Sequence, residues 1–539
     1  MSDPAKMPRQ IPYIIGSEGC ERFSFYGMRN ILQMFLTTVL LMQKGEAKDI
    51  FHSFVIGVYF FPLLGGWIAD RLFGKYRTIL WFSLIYCVGL GLLALMPYDR
   101  EAFLVGLFLV ALGAGGIKPL VASFVGDQFD ARTKHLAKVV FDAFYWIINF
   151  GSFFGSLLMP IMLVVWGPRV AFGIPAALML IATAVLWAGR HIYVMVQVAP
   201  ANPSSFIRVV RTALLAKDPQ RGNLGFWLAV LGGVLSIATF ALLGLGVLDL
   251  VPVICLAVVV FLVFGGVGTW IQLERARGLH PDEAVDGVRS VLRVLVVFAL
   301  VTPFFSLFDQ KATEWVSQGG TMHVPTWDLS QTWETNFQPS QMQAFNPLFV
   351  MILIPFNNLV LYPWLRKRGW EPTALRKMTA GILFSALAWV VAGLLQLQIE
   401  GAAANSISIF WQLLPYAFLT FAEVLVSATG LEFAYSQAPL PMKGVIMSFW
   451  NLATTVGNLW VLLVDAAIRN KSVIGSIESS GVSVTTFLMF FFAAFAGVAA
   501  FVFWLYTRRY AYVDNYRAGG GPPAASPDNT LPTATAREK

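Results

Sequence analysis

The first apolar segment of the chain carries ionisable side chains at regular intervals. Glu18, Glu21, Arg22, Tyr26 and Arg29 are related by steps of three and four residues, which brings them to one face of a helix. Ionisable residues inside a bilayer cost about 3 kcal/mol or more each, so they pair and face a polar interior. Buried carboxylates also take up protons easily once they lose water. The pattern therefore predicts a proton-handling cluster that faces a cavity, although a segment lying among lipid headgroups is the alternative.

Three further charged residues lie near the middle of other apolar segments. Lys118 follows a glycine-rich stretch and lies too deep to reach the membrane surface, so it requires a carboxylate partner or a ligand. Asp309 is the best partner by depth, and Glu423 lies mid-span in a later segment. Basic residues in the first half and acidic residues in the second suit a zwitterion, such as an amino acid or a short peptide. Structural ion pairing is the alternative for Lys118, and a structural role is the alternative for Glu423.

Other side chains in these segments are weaker candidates. His52 could relay protons, because histidine titrates near physiological pH, but a lone histidine at the start of a predicted helix is more often a polar cap. Lys311 and Asp465 lie toward the outer face, and we interpret them as gate or interface residues at most. Four aromatic residues share helices with buried polar residues and are candidates for lining the cavity: Tyr26, Tyr59, Trp315 and Trp450.

Apolar runs of about 20 residues, the length that crosses a bilayer, recur along the chain. The polar stretches between them define fourteen predicted spanning helices. These helices cover residues 11–41, 50–72, 76–96, 101–126, 137–165, 168–190, 223–247, 249–273, 288–318, 342–365, 376–398, 406–436, 442–468 and 483–508.

Basic residues are distributed asymmetrically about these helices. With this assignment, 27 of the 38 Lys and Arg residues fall on the side that holds both termini, and 6 fall on the other side. An excess of positive charge is typical of cytoplasmic loops. We therefore predict a multi-pass membrane protein with both termini in the cytoplasm.

The helices fall into groups of six, two and six. A basic, glycine-containing loop follows the second helix of both larger groups, at 66–75 and 366–369, which indicates a parallel repeat of the major facilitator type. We predict an all-α integral membrane protein of major facilitator fold, with two six-helix bundles and two extra central helices. The predicted domains are an N-terminal bundle over 1–190, a linker with the two-helix insertion over 191–287, a C-terminal bundle over 288–508 and a disordered cytoplasmic tail over 509–539.

The composition excludes several classes of protein. Hydrophobic residues make up 57% of the chain and charged residues 13%, whereas a soluble domain needs roughly a quarter of its residues charged. The three cysteines lie far apart without metal spacing, so we expect no disulfide, no metal and no cofactor. The net charge of +8 is attributed to cytoplasmic loops rather than to nucleic-acid binding. Because HExxH, Walker-type and GxSxG motifs are absent from the sequence, an intramembrane enzyme is only a distant alternative.

Several motifs give the chain a family resemblance over most of its length. The main ones are Glu18-x-x-Glu21-Arg22-Phe23, Gly65-Gly66-Trp67-Ile68-Ala69-Asp70, Gly115-Gly116-Ile117-Lys118-Pro119 and Phe144-Tyr145-Trp146-Ile147-Ile148-Asn149-Phe150-Gly151. On these residues the chain resembles the proton-dependent oligopeptide transporter family of the major facilitator superfamily. The two extra helices are similar to those of bacterial members, whereas Phe51-His52-Ser53-Phe54 and residues 431–439 look like the animal peptide transporters.

The resemblance implies roles for the matching residues. Proton coupling would involve Glu18, Glu21, Arg22, His52 and Asp309. Peptide binding would involve Arg22, Tyr26, Arg29, Tyr59, Lys118, Asn149, Trp315, Asn346, Glu423 and Trp450. Within that set, Arg22 and Lys118 would hold the peptide carboxylate, while Glu423, Asn149 and Asn346 would hold the amino group. Lys118–Asp309 and Arg29–Asp309 would be alternative gate pairs.

The implied activity is proton-coupled import of di- and tripeptides by alternating access, in a bacterial inner membrane. Its partners would be these peptides and peptide-like drugs, protons as the coupling ion and the lipid bilayer, with no nucleic acid, and the transporter would be a monomer. A relative that carries a non-peptide anion or a modified amine is the alternative.

Two positions depart from the family pattern. Asn357 replaces an aspartate that pairs with an arginine in several members, which puts the role of Arg293 in question, and Phe25 replaces a tyrosine.

Overall fold

The computed structural model of the chain describes residues 7–129, 134–196, 203–216, 222–328, 334–437, 442–469 and 471–510. Almost all of the predicted tail over 509–539 lies outside the described residues. Fourteen helical segments of the described chain can cross a bilayer, and we number them α1 to α14. They are α1 Ile11–Thr38, α2 Lys44–Phe73, α3 Lys75–Leu95, α4 Arg100–Gly126, α5 and α6 within Lys134–Ala188, α7 Leu224–Gly244, α8 Leu250–Ala276, α9 Asp282–Gly319, α10 Pro339–Lys367, α11 Ala374–Gly401, α12 Ile409–Ala434, α13 Lys443–Ile468 and α14 Val484–Thr507.

The number of spans follows from three observations on the described chain. Twelve continuous segments are long and apolar enough to span a membrane. Helix α1 is not one of them, since ionisable residues interrupt its apolar run, but its 28 residues exceed the length that a span requires. One of the twelve contains both α5 and α6, which are divided at Gly167, where φ is 79° and ψ is 177°. Glycine adopts this conformation without strain, so the chain can leave one span and start the next there. The predicted fourteen helices are confirmed.

The spanning helices pack into two bundles of six. One apolar core joins helices of the first six, and two adjoining cores join helices of the last six. Helices α7 and α8 pack on each other and expose large apolar side chains such as Trp227 and Phe261. This arrangement confirms the predicted all-α major facilitator fold with two extra helices, while the limits of the individual domains stay predictions.

Glycines let the helices of the first bundle approach closely. A Cβ atom on Gly65 of α2 would lie 2.6 Å from the Cα atom of Gly116 in α4. A Cβ atom on Gly155 of α5 would lie 2.9 Å from the backbone nitrogen of Gly27 in α1. Separations this short leave no room for a side chain. The glycines therefore fix how α1, α2, α4 and α5 present their polar residues to the bundle interior.

Two shorter elements lie outside the spanning helices. Phe206–Leu215, called here the lateral helix, lies between α6 and α7 and buries Val209 and Ala213. In the loop between α9 and α10, strand β1 (Thr326–Asp328) pairs antiparallel with strand β2 (Glu334–Asn336). This strand pair was not predicted, because strands of three residues are too short to show a clear alternation of apolar and polar residues.

Candidate functional site

The charged face of α1 points into the first bundle, as predicted. Glu18, Glu21 and Arg22 are all buried. Arg22 Nε lies 2.6 Å from Glu18 Oε1 and 2.9 Å from Glu21 Oε2. Within the described chain, neither oxygen of Glu21 has a hydrogen bond of good geometry. Glu21 is therefore held mainly by the charge of Arg22.

Lys118 of α4 is held by aromatic rings. Its Nζ atom lies 3.8 Å from the ring centre of Phe25 and 4.5 Å from that of Tyr59. Such contacts stabilise an ammonium group that has left water. Among the described residues no carboxylate lies within 4.0 Å of Lys118, and its side chain is only partly buried. Lys118 is thus a charged group that a ligand can reach.

Asp309 of α9 joins the two bundles through a hydrogen-bonded chain. Arg29 Nη2 lies 2.7 Å from Asp309 Oδ1, and Asn458 Nδ2 donates to Asp309 Oδ2 over 2.7 Å. Asn458 Oδ1 lies 2.6 Å from His52 Nδ1, and His52 Nε2 lies 3.3 Å from the Thr313 hydroxyl. Of the two predicted pairings of Asp309, the structure contains the one with Arg29. His52 is fully buried within α2, which begins six residues earlier than predicted, so it is not a helix cap.

A second polar group surrounds Glu423 of α12. Asn346 Nδ2 donates to Glu423 Oε2 over 2.6 Å and to the Thr420 hydroxyl over 3.0 Å. Lys311 Nζ donates to Asn346 Oδ1 over 3.2 Å and lies 3.1 Å from the ring centre of Phe308. Because a π-helical turn begins at the next residue, the helix widens beside Glu423. No cation lies within 4.0 Å of Glu423 among the described residues.

Lys311 belongs to this site, although the sequence placed it no closer than a gate. Helix α9 changes to a 3₁₀ turn over Gln310–Ala312, which rotates Lys311 away from the face that regular helical spacing assigns to it. The side chain is buried. The sequence does show a lysine two residues after Asp309 within an apolar segment. The direction of its side chain, however, depends on the 3₁₀ turn over Gln310–Ala312.

Not all of the predicted site residues point to this cluster. The Asn149 amide donates to the carbonyl of Tyr145 in its own helix over 3.0 Å. Trp315 is fully buried in the C-terminal bundle, with its ring 4.9 Å from Tyr416 and 5.8 Å from Trp389. The structure thus does not bring Trp315 to the site, because it is needed to fill the core. Trp450 packs against Phe298 and Phe305.

The structure also shows the surroundings of Asn357 and Arg293, the two residues at the position of the family's ion pair. Asn357 is buried, and neither polar atom of its side chain has a partner in the described chain apart from a weak contact with Tyr362. The Arg293 guanidinium instead lies 5.9 Å from the ring centre of Trp270. The two residues are not paired here.

The accessible members of the cluster are distributed over both bundles. Tyr26, Tyr59 and Lys118 are partly exposed in the first bundle, and Asn346 and Glu423 are partly exposed in the second. The buried residues behind them carry the ion pairs described above. A ligand between the bundles would therefore meet the partly exposed Lys118 on one side and the partly exposed Glu423 on the other.

Ion pairs between the bundles continue toward the end that holds the α1–α2 loop. Lys48 Nζ lies 2.6 Å from Glu314 Oε1 and 3.0 Å from Asp465 Oδ1, and Arg469 pairs with Asp49. These residues line a cavity of about 320 Å³ at that end. The sequence suggested an interface role for Asp465 but missed Lys48 and Glu314, because charges near helix ends look like ordinary surface residues. These pairs close this end of the interface.

Comparisons with known proteins identify the family to which this fold belongs. A family model described as the POT family matches residues 76–243 and 269–478. Solute carrier family 15 member 1 of Oryctolagus cuniculus is 30% identical over 418 residues, covering 73% of this chain and 52% of that protein. Peptide transporter family 1 of Drosophila melanogaster is 31% identical over 428 residues, covering 75% of this chain and 49% of that protein. The chain spans about half the length of these curated relatives.

Solved structures match over nearly the whole chain. The crystal structure of an auto-inhibited POT family peptide transporter is 62% identical with a TM-score of 0.90, covering 95% of this chain and 99% of that chain. The crystal structure of a proton dependent oligopeptide (POT) family transporter is 56% identical with a TM-score of 0.77, covering 92% of this chain and 100% of that chain. Because the family model matches more than half of the chain, the chain belongs to the POT family, a family of multi-pass membrane transporters.

Proposed function

We propose that this chain imports di- and tripeptides together with protons, by alternating access, as a monomer in a bacterial inner membrane with both termini in the cytoplasm. One observation carries the proposal. Lys118 and Glu423 are both accessible, and neither has an oppositely charged side chain within 4.0 Å among the described residues. A lysine and a glutamate on facing bundles, each without a direct ion-pair partner in the described chain, suit a small zwitterion, and the names of the relatives indicate which one.

Each wall of the site would bind one end of the peptide. Lys118, supported by Arg22, would bind the carboxylate, because a charge-assisted hydrogen bond is stronger than a neutral one. Glu423 would bind the amino group, with Asn346 fixing the orientation of its carboxylate. Tyr26 and Tyr59 would contact the backbone between the two ends. Because these groups recognise features common to all peptides, the site would tolerate many side chains.

Two polar residues, Asn149 and Arg29, would complete the site, and two tryptophans have less direct roles. Asn149 would contact the amino group after leaving its present bond to the helix backbone. Arg29 would take part in binding only when it is released from Asp309. Trp450 and Trp315 would act through the packing that they support in the second bundle.

Protons would drive the cycle through two clusters. Protonation of Glu21 would free Arg22 for the peptide carboxylate, with Glu18 as the remaining partner of the guanidinium. Protonation of Asp309 would remove the charge that holds Arg29 and so weaken the link between the bundles. His52 would be a second proton site beside Asp309, and Asn458, which contacts both residues, would orient the two side chains.

Uptake of labelled dialanine into proteoliposomes tests this function. With an imposed inward proton gradient and an inside-negative potential, we expect accumulation that a protonophore abolishes. Unlabelled dialanine should compete, whereas dialanine blocked at both termini should not, because it lacks both charges. A correctly inserted protein that accumulates no peptide under these conditions would contradict the proposal, and a non-peptide substrate would then have to be sought.

A further inference from the structure

Two arginines of the lateral helix face a groove that is separate from the transport site. Arg208 and Arg211 are three residues apart, so they project from the same side of the helix, and both are exposed. The groove has a volume of about 420 Å³. Its lining consists of Arg208, Arg211, Thr212, Leu215, Leu279 and His280, together with one alanine.

The groove has fixed walls. Val209, on the opposite face of the lateral helix, is fully buried in the core of the C-terminal bundle. His280 forms the other wall. Its ring is hydrogen-bonded both to the lateral helix and to the residues just before that helix. Its Nε2 atom lies 2.9 Å from the Thr212 hydroxyl, and its Nδ1 atom lies 3.2 Å from the Ser204 hydroxyl. The two arginines therefore extend from a helix that is held on both sides.

The positive charge of the groove is not compensated by the described chain. No carboxylate lies within 4.0 Å of either guanidinium group among the described residues. Of the acidic side chains that flank Leu279 and His280 in sequence, Glu274, Asp282 and Asp286 form ion pairs with Arg277, whereas Glu283 has no ion pair among the described residues. Glu274 also pairs with a second arginine. The groove thus suits an anion that comes from outside the chain.

Apolar side chains flank the two arginines. Ile207 is 72% exposed, Leu215 is 53% exposed and Leu279 is 67% exposed. The lateral helix lies in sequence between the end of α6 and the start of α7, and the even number of spans before it puts it on the side that holds the termini, next to the ends of two spans. Charged and apolar side chains combined on one short helix at this depth are typical of binding to a lipid interface.

We propose that this groove binds the headgroup phosphate of an anionic phospholipid. The forked guanidinium groups of Arg208 and Arg211 match the geometry of phosphate oxygens. The exposed side chains of Ile207, Leu215 and Leu279 contact the acyl chains. A lipid bound here would tie the lateral helix, and through Val209 the C-terminal bundle, to one leaflet of the membrane.

Native mass spectrometry of the purified full chain tests the site. The protein is titrated with phosphatidylglycerol and with phosphatidylcholine of identical acyl chains. We expect the wild type to prefer phosphatidylglycerol, and Arg208→Gln with Arg211→Gln to lower that preference about 30-fold, because each basic residue near the surface adds to the attraction. Lys367→Gln with Arg368→Gln, which removes two exposed charges on the same side of the membrane, should leave the preference unchanged.

Several results would overturn the assignment. One is a wild type without preference, and another is an equal loss of preference in both double variants, which would indicate a general charge effect. Displacement of phosphatidylglycerol by millimolar inorganic phosphate would show that the groove takes a free anion rather than a lipid. If the double variant does not fold, the single variants Arg208→Gln and Arg211→Gln should each lower the preference about fivefold, and an unchanged preference in both would equally refute the site.

Discussion

Replacement of Asp309 by asparagine should open the end of the transporter that holds the α1–α2 loop. Arg29 Nη2 lies 2.7 Å from Asp309 Oδ1, and both side chains are more than nine-tenths buried. Asp309→Asn leaves the Arg29 guanidinium buried without its counterion, which costs about 3 to 5 kcal/mol. Since about 1.4 kcal/mol corresponds to a tenfold change in an equilibrium constant, even the lower value shifts the ratio of open to closed molecules by roughly 100-fold.

Distances between spin labels can measure this opening. Leu41, which is 80% exposed, lies in the loop between α1 and α2, and Asn405 is exposed in the loop between α11 and α12. Labels at these positions report the separation of the two bundles at that end, once Cys20, Cys87 and Cys255 are replaced by serine or alanine. We expect double electron–electron resonance to give mainly the shorter distance for the parent protein and mainly a longer one for Asp309→Asn.

A double variant is the matched control. Arg29→Met with Asp309→Leu removes both charges with a smaller change of volume, and replacing a whole buried pair in this way is often neutral or stabilising. We therefore expect the double variant to return to the shorter distance. The reasoning is refuted if Asp309→Asn stays closed, or if the double variant opens as far as the single one, because opening would then not arise from the unpaired charge.

Three further predictions concern the site and its scaffold. Glu21→Gln should abolish uptake driven by a pH gradient in proteoliposomes but retain peptide counterflow, and intact gradient-driven uptake would contradict the proton role of Glu21. Lys118→Ala should weaken dialanine binding about tenfold or more in calorimetry, because a charge-assisted hydrogen bond is lost, whereas the weaker binding of the C-terminal amide should not change. Gly65→Ala should lower the melting temperature by several degrees, since the new methyl group overlaps Gly116. Gly91→Ala, where a methyl group meets no atom within 4 Å, should not lower it.

The sequence predicted those parts of the site that depend on helical periodicity and on the cost of burying charge. The spacing of Glu18, Glu21 and Arg22 was sufficient to place them on one buried face. The pairing of Arg29 with Asp309 was one of two alternatives that the family resemblance offered. Periodicity could not decide between them, because the choice depends on the relative position of the two bundles, which are 280 residues apart in sequence at this contact.

The missed features depend on local irregularity and on packing. Lys311 reaches Asn346 because α9 tightens into a 3₁₀ turn, which hydropathy does not reveal. Lys48 and Glu314 pair across the bundles, although each resembles a solvated residue at a helix end. Trp315 shares a helix with Asp309, but its volume is used to fill the core of the C-terminal bundle.

Proton movement driven by peptide is the most direct test of the central claim. Proteoliposomes containing a pH-sensitive dye are given an inward gradient of dialanine at equal pH on both sides, with the membrane potential clamped to zero by potassium and valinomycin. The account predicts acidification of the lumen with dialanine and none with dialanine blocked at both termini. Dialanine entry without acidification would contradict coupling, and acidification with the blocked compound would contradict recognition of the two charged termini by Lys118 and Glu423.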